Sequence, residues 1–310
     1  MESTNMSELQ LDYRADKTEQ LTDIADYWAL LKPRVMQLVI LTALVGMVRA
    51  GSDIHPVLAF TALLCISVGA GASGALNMWF DADIDRIMTR TADRPVASGR
   101  MRAGDALAFG LFLSVASVLM LGLTVSWLGA AALAFTIFFY AVIYTMWLKR
   151  ATSQNIVIGG LAGALPPLVA WMSVTDSIAW EPVVLVAIIF MWTPAHFWAL
   201  ALYKDEDYRR ANVPMLPVVH GRAHTKHQIV FYAATLLPLS VLPTIMGWAG
   251  YAYGIVALAT SCWFFWSCFK LYGVTGDVEI GRAKKAFGVS IVYLFAIFIA
   301  LLVDGVFHVA

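Results

Sequence analysis

Asn77, Asp81 and Asp85 recur every fourth residue in the stretch Asn77-Met-Trp-Phe-Asp81-Ala-Asp83-Ile-Asp85-Arg86-Ile-Met-Thr-Arg90-Thr-Ala-Asp93-Arg94-Pro95. At about 100° per residue on a helix, the three fall within a sector about 80° wide, and Asp83 points almost the opposite way. Three oxygen-bearing side chains on one face suit Mg²⁺, a hard cation that is commonly shared between carboxylates and substrate phosphates. Arg90 and Arg94 are expected one helical turn apart, and the planar guanidinium fork fits phosphate oxygens. Carboxylates for a metal beside arginines for phosphate point to a diphosphate-bearing substrate. The bland alternative is a solvated, self-neutralising loop of mixed charge.

A second cluster, Lys204-Asp205-Glu206-Asp207-Tyr208-Arg209-Arg210, has the same design, with acids and then bases at the end of an apolar run. Together the two clusters could share one diphosphate through bridging Mg²⁺. Lys149 and Arg150, followed by Asn155, either add positive charge beside that diphosphate or merely anchor a membrane helix. His196 lies within an apolar run, where an ionisable residue is either functional or a core histidine bonded to a neighbouring helix. His220, His224 and His227 fall in what reads as a polar loop, open to metal or porphyrin contact.

The elements that position these residues are membrane helices. The 310 residues are 60% hydrophobic and 14% charged, far more apolar than a soluble domain of this size needs. Apolar runs occur at about 35–50, 56–76, 107–122, 127–147, 156–174, 182–202, 228–248, 252–270 and 287–304. Assigned alternately to two sides, they leave 20 of the 21 Lys and Arg on one side and only Arg49 on the other. By the positive-inside rule this predicts an all-α, polytopic bundle of nine transmembrane helices, N-terminus cytoplasmic and C-terminus outside. The chemistry is then expected at the cytoplasmic face, where the long charged connections lie. Residues 1–26 read as a flexible cytoplasmic tail without signal- or transit-peptide character, and 27–310 as a single transmembrane domain. Gly69, Gly71 and Gly74, with Ala70, Ala72 and Ser73, form a small-residue patch suited to close helix packing. Cys65, Cys262 and Cys268 lack metal-like spacing and are expected to be unpaired.

At these residues the chain resembles the UbiA-type intramembrane prenyltransferases, and within them the haem-farnesylating branch. The resemblance runs from Leu31 to about Leu302. It rests on Leu-Lys-Pro-Arg-Val (31–35), Asn77-x3-Asp81-x3-Asp85, Arg90-Thr91, Arg94-Pro95, Tyr144-Thr145 and Leu148-Lys149-Arg150. Further support comes from Asn155 to Gly160 with Pro166-Pro167, from His196-Phe-Trp-Ala-Leu-Ala-Leu, and from Asp207-Tyr208 through Pro214-Met-Leu-Pro217. It implies a lipid-open helical bundle with Mg²⁺-bound prenyl diphosphate at its cytoplasmic end. The implied reaction moves the farnesyl group of farnesyl diphosphate onto a vinyl group of haem B, with water added, giving haem O and diphosphate. Haem B is then a substrate and Mg²⁺ the cofactor. Asn77, Asp81, Asp85 and Asp207 would hold the metal, with Arg90, Arg94 and Lys149 on the diphosphate. Arg150, Asn155, His196, Lys204 and Tyr208 are the expected substrate-binding residues. One departure from the superfamily pattern is that the second acidic helix end offers Asp205 and Asp207 rather than Asp-x3-Asp. Implied partners beyond the lipid bilayer are a haem A synthase or oxidase assembly proteins, in a bacterial inner membrane, with no nucleic acid. Two alternatives stay open: an acceptor that is an aromatic quinone precursor, and, from another class, an ion-coupled transporter.

Overall fold

The computed structural model describes residues 22–308, and among them the secondary structure is entirely helical. Eight helices are long and apolar enough to cross a membrane. A ninth span is made by α1 (Ile24–Leu30) and α2 (Pro33–Arg49), bent by 49° where Lys32 adopts a left-handed backbone. Counting that bent pair as one span gives the expected nine among the described residues; counting only single helices gives eight. Most of the expected tail, residues 1–21, lies outside them. Within the rest, Asp23 caps α1, and Asp26 is buried against Arg100, so helix has already begun inside the 1–26 boundary.

Span two is α3 (Pro56–Phe80), followed by the single-turn α4 (Ala82–Ile87); span three is α5 (Ala103–Thr124). Span four joins α6 (Trp127–Phe138), a π-helical segment Phe139–Leu148 and α7 (Lys149–Ala151). Span five is split at Pro166-Pro167 into α8 (Asn155–Ala164) and α9 (Pro166–Thr175), since a proline cannot donate to the preceding turn. Span six, α10 (Trp180–Tyr203), leads into the short α11 (Asp205–Arg210) and α12 (Leu216–Val219). Spans seven to nine are α13 (Gly221–Ile245), α14 (Tyr251–Phe269) and α15 (Gly276–His308).

Two boundaries differ from the apolar runs for one reason. Hydropathy marks where a helix is apolar, and both α13 and α15 continue into water as polar turns. His224 and His227 therefore lie on α13 rather than in a loop, and α15 starts at Gly276 rather than near 287. The helices pack as a ring closed by α15 against α2. The small-residue patch works as a contact surface. A Cβ on Gly74 would stand 3.0 Å from the Leu30 carbonyl oxygen, so α1 can lie directly on the end of α3. Large apolar side chains such as Phe60, Phe112, Leu123 and Ile255 face outward, as a lipid-bathed bundle requires.

Candidate active site

All the acidic candidates lie at one end of the bundle. The last turn of α3 runs almost without a break into α4: Asp81 N–H bonds the Asn77 carbonyl and Asp85 N–H bonds the Asp81 carbonyl. This preserves the helical spacing, so Asn77, Asp81 and Asp85 are buried side by side while Asp83 is exposed. Cations surround the buried three. Lys32 Nζ donates to Asn77 Oδ1 at 2.8 Å, and Lys149 donates to Asp81 Oδ2. Asn77 Nδ2 donates to the same Asp81 oxygen at 2.6 Å and to Thr145 at 3.2 Å. Arg94 donates to Asp85 Oδ2 at 2.7 Å.

Asp83 serves differently. Arg150 grips both of its oxygens at 2.6 and 2.7 Å on the outer surface, and that hydrogen bonding holds its carboxyl below the usual carboxylate range. Arg150 thus spends its fork on the exposed acid, with its nearest nitrogen 3.7 Å from Asp81.

Arg90 and Arg94 do not stand on a common helix. Met88 adopts an extended backbone, and the Thr91 hydroxyl donates to the Asp85 carbonyl, so residues 88–101 descend in successive turns. The turns carry this segment to the second acidic helix end. The Thr89 hydroxyl donates to Asp207 Oδ1 at 2.9 Å, and Arg90 donates to the Tyr208 hydroxyl at 3.1 Å. Arg210 bonds Asp207 at 2.5 Å. Burial raises the Asp207 carboxyl, but the Thr89 and Arg210 hydrogen bonds outweigh it and leave it below its ordinary value. Burial foremost pushes the Tyr208 phenol up, which keeps it a neutral hydroxyl. Lys204, at the break between α10 and α11, adds positive charge near Asp207.

Asp205 turns away from this group. It bonds Arg222 at 2.5 Å, which also holds the buried Glu279 at 3.0 Å, and so belongs to a separate network. Asn155 is buried and donates to the Lys149 carbonyl, fixing the end of span four. His196 lies about two helical turns inside the bundle from Tyr203. It is stacked between Trp192 and Phe287, with Nδ1 2.6 Å from Ser290 Oγ. That is the bonded core histidine, apart from the acids. The His220 and His224 rings lie 5.4 Å apart, with His220 also against Ser153, but His227 pairs with Tyr272, so the three histidines do not converge on one point.

The donor set fits Mg²⁺. Asp81 Oδ1 and Asp207 Oδ2 are buried without any hydrogen-bond partner, and a stranded carboxylate oxygen is costly unless a cation meets it. Among the described residues no three His, Cys, Asp or Glu side chains group closely enough to hold a metal alone. A cation shared between one or two carboxylates and substrate phosphates is the arrangement that Mg²⁺ favours.

Lys32, Thr89 and Thr145 stand within the motifs quoted above, but the sequence alone assigns no role to any of the three. Lys32 had a visible signal, a cation immediately before the proline that starts α2. Thr89 and Thr145 are ordinary threonines until the fold brings them to Asp207 and Asn77.

Residues 39–291 match the model of the UbiA prenyltransferase family. A protein from Rhizobium johnstonii named protoheme IX farnesyltransferase is 59% identical over 280 residues, covering 90% of this chain and 89% of its own. One of the same name from Azorhizobium caulinodans is 58% identical over 289 residues, covering 93% and 94%. Among solved structures, a digeranylgeranylglyceryl phosphate synthase superposes with a TM-score of 0.75 at 16% identity, covering 91% of this chain and 98% of its own. A UbiA homologue from Archaeoglobus fulgidus bound to DMAPP and Mg²⁺ gives 0.67 at 15% identity, with 88% and 99% covered. The extent of the family match and the identity to these relatives show that the chain belongs to the UbiA prenyltransferase family.

Proposed function

We propose that this chain moves the farnesyl group of farnesyl diphosphate onto a vinyl group of haem B, with addition of water, yielding haem O and diphosphate. The reading draws on relatives that share more than half its residues and are named for that reaction. The observation that carries it is the meeting of the two acidic helix ends through Thr89–Asp207 and Arg90–Tyr208. At that meeting Asp81 Oδ1 and Asp207 Oδ2 lie buried among cations without a hydrogen-bond donor.

Asn77, Asp81, Asp85 and Asp207 are the residues that would hold Mg²⁺. When bound, it neutralises diphosphate oxygens and makes diphosphate a better leaving group. Lys149, Arg94 and Arg90, with Lys32, Lys204 and Arg150 behind them, preorganise positive charge where the leaving oxygen becomes negative. As the allylic C–O bond breaks, its electron pair leaves with diphosphate. The vinyl π electrons then form the new C–C bond to the farnesyl cation. Water captures the positive carbon left beside the porphyrin and loses a proton. The buried, weakly acidic hydroxyl of Tyr208 and the ring of Tyr144 offer walls that do not trap the cation. His196 and Asn155 act by fixing α10 and the end of span four against their neighbours.

Location in a bacterial inner membrane, with this end of the bundle cytoplasmic, is supported by the distribution of Lys and Arg. A haem A synthase or oxidase assembly proteins would receive the product. Membranes containing the chain, incubated with farnesyl diphosphate, haem B and Mg²⁺, should yield a haem heavier by farnesyl plus water. Asp81→Ala should abolish that product while the protein still purifies folded. A variant with the wild-type rate would remove Asp81 from the site.

A further inference from the structure

At the same end of the molecule, on the side formed by α14 and α15, a second cluster of charge takes no part in the reaction. A cleft of about 50 Å³ is lined by Trp263, Trp266, Ser267, Lys270, Arg282 and Lys285. Three cations therefore share one small space. None of the three is in an ion pair with any carboxylate among the described residues, whereas Arg222 and Lys226, on the nearby start of α13, both pair with Glu279. Like charges gathered without a counter-charge repel one another, and an anion in the cleft relieves this.

The remaining walls say what kind of anion. Trp263 and Trp266 lie one helical turn apart and are about half exposed, at 44% and 53%. Lys270 Nζ sits 5.3 Å from the centre of the Trp266 ring, and Arg282 donates to the Lys270 carbonyl, closing the connection between the two spans. Trp263 is two turns nearer the bilayer centre than Lys270, so the cleft is cationic at the headgroup level and aromatic below it. A soluble phosphate would use only the upper half. A lipid with a phosphate head and an acyl chain uses both.

We infer that Lys270, Arg282 and Lys285, with Trp263 and Trp266, form a site for the phosphate of an anionic phospholipid in the leaflet that carries the active site. Basic pockets between membrane helices are the usual receptors for such headgroups. Each cation at a membrane surface strengthens the attraction roughly fivefold, so removing all three should weaken binding on the order of a hundredfold.

The test is native mass spectrometry of the detergent-purified chain titrated with phosphatidylglycerol, with phosphatidylcholine as the neutral control. Phosphatidylglycerol adducts should form at far lower concentration than phosphatidylcholine adducts, and excess inorganic phosphate should not displace them. The K270Q/R282Q/K285Q variant should lose that preference, and K270R/K285R should keep it. Haem farnesylation by the glutamine variant serves as the check that it is folded, because none of the three contacts the proposed catalytic residues. If the active glutamine variant retains phosphatidylglycerol like the wild type, the site is refuted. Equal retention of the two lipids, or displacement by inorganic phosphate, also overturns it.

Discussion

Around Asn77, Asp81 and Asp85, Lys149 pairs with Asp81 and Arg94 with Asp85, while Lys32 bonds the neutral amide of Asn77, and that third cation makes the sharpest test. Lys32 is part-buried against Asn77 and lies over the Tyr140 ring at 5.9 Å. If it stabilises the leaving diphosphate, Lys32→Met should lower kcat about 100-fold, the scale set by removing one preorganised donor from an oxyanion site. Steady-state kinetics with farnesyl diphosphate would show this, and an unchanged kcat would reduce Lys32 to a structural partner of Asn77. The acids divide in a parallel way. Asp83 is exposed and bound by Arg150, so Asp83→Asn removes a surface ion pair and should cost about 1 kcal/mol or less of stability. Asp85→Asn removes a buried charge opposite Arg94 and should reduce turnover by more than tenfold. Similar rates for the two variants would contradict the one-face arrangement. Chelation of Mg²⁺ should stop product formation, and restoring Mg²⁺ should recover it, because the unpartnered oxygens of Asp81 and Asp207 then regain their cation.

Among the elements, the π-helical segment Phe139–Leu148 does most to set the site. Its wider turn bonds Lys149 N–H to the carbonyl five residues back, at Tyr144. That rotates Thr145 toward Asn77 and Lys149 toward Asp81. Tyr144 is held from behind by Gly159, where a Cβ would stand only 2.1 Å from the ring. Gly159→Ala must therefore displace Tyr144 or α8. It should lower farnesyl transfer at least tenfold while the protein remains membrane-inserted, with a companion loss of roughly 1–3 kcal/mol in stability from overpacking. Wild-type turnover in that variant would show that the segment tolerates movement. The same elements mark how far sequence reading reached. The shared face of Asn77, Asp81 and Asp85 was legible because the backbone keeps helical spacing through the junction at Asp81. The π turn was not, since one extra residue per turn leaves the composition and apolar length of span four unchanged. Arg90 and Arg94 looked like neighbours on a helix because no residue before Pro95 announces the turns that begin at Met88. The Lys32–Asn77 and Thr89–Asp207 bonds join residues 45 and 118 positions apart, which local spacing does not encode.

At the scale of the whole molecule, the nine spans place the acids of the site and their cations at one end, while Asp53, Asp176, Glu181 and Asp304 fall toward the other. Arg49 is the single cation that the charge pattern assigns to that far side. Its Nη1 lies 3.1 Å from Asp304 on α15, and both side chains are largely buried. Asp304 also accepts from the Gly250 N–H, and the Arg49 guanidinium lies over Trp248 at 5.5 Å. One carboxylate thereby ties the first span, the connection between α13 and α14, and the last span, closing the ring opposite the active site. Breaking one partner of a buried pair strands the other charge, so Asp304→Leu should destabilise the bundle by about 3–5 kcal/mol. Arg49→Met in the Asp304→Leu background removes the stranded charge and should restore much of that loss. Recovery should stay incomplete, because the Gly250 N–H has still lost its acceptor. Thermal unfolding of the purified variants separates these outcomes, and the KM for farnesyl diphosphate should stay unchanged wherever protein remains folded. If the double variant is no more stable than Asp304→Leu alone, the pair does not close the ring. If KM rises in step with the loss of stability, the two ends of the bundle are coupled rather than independent.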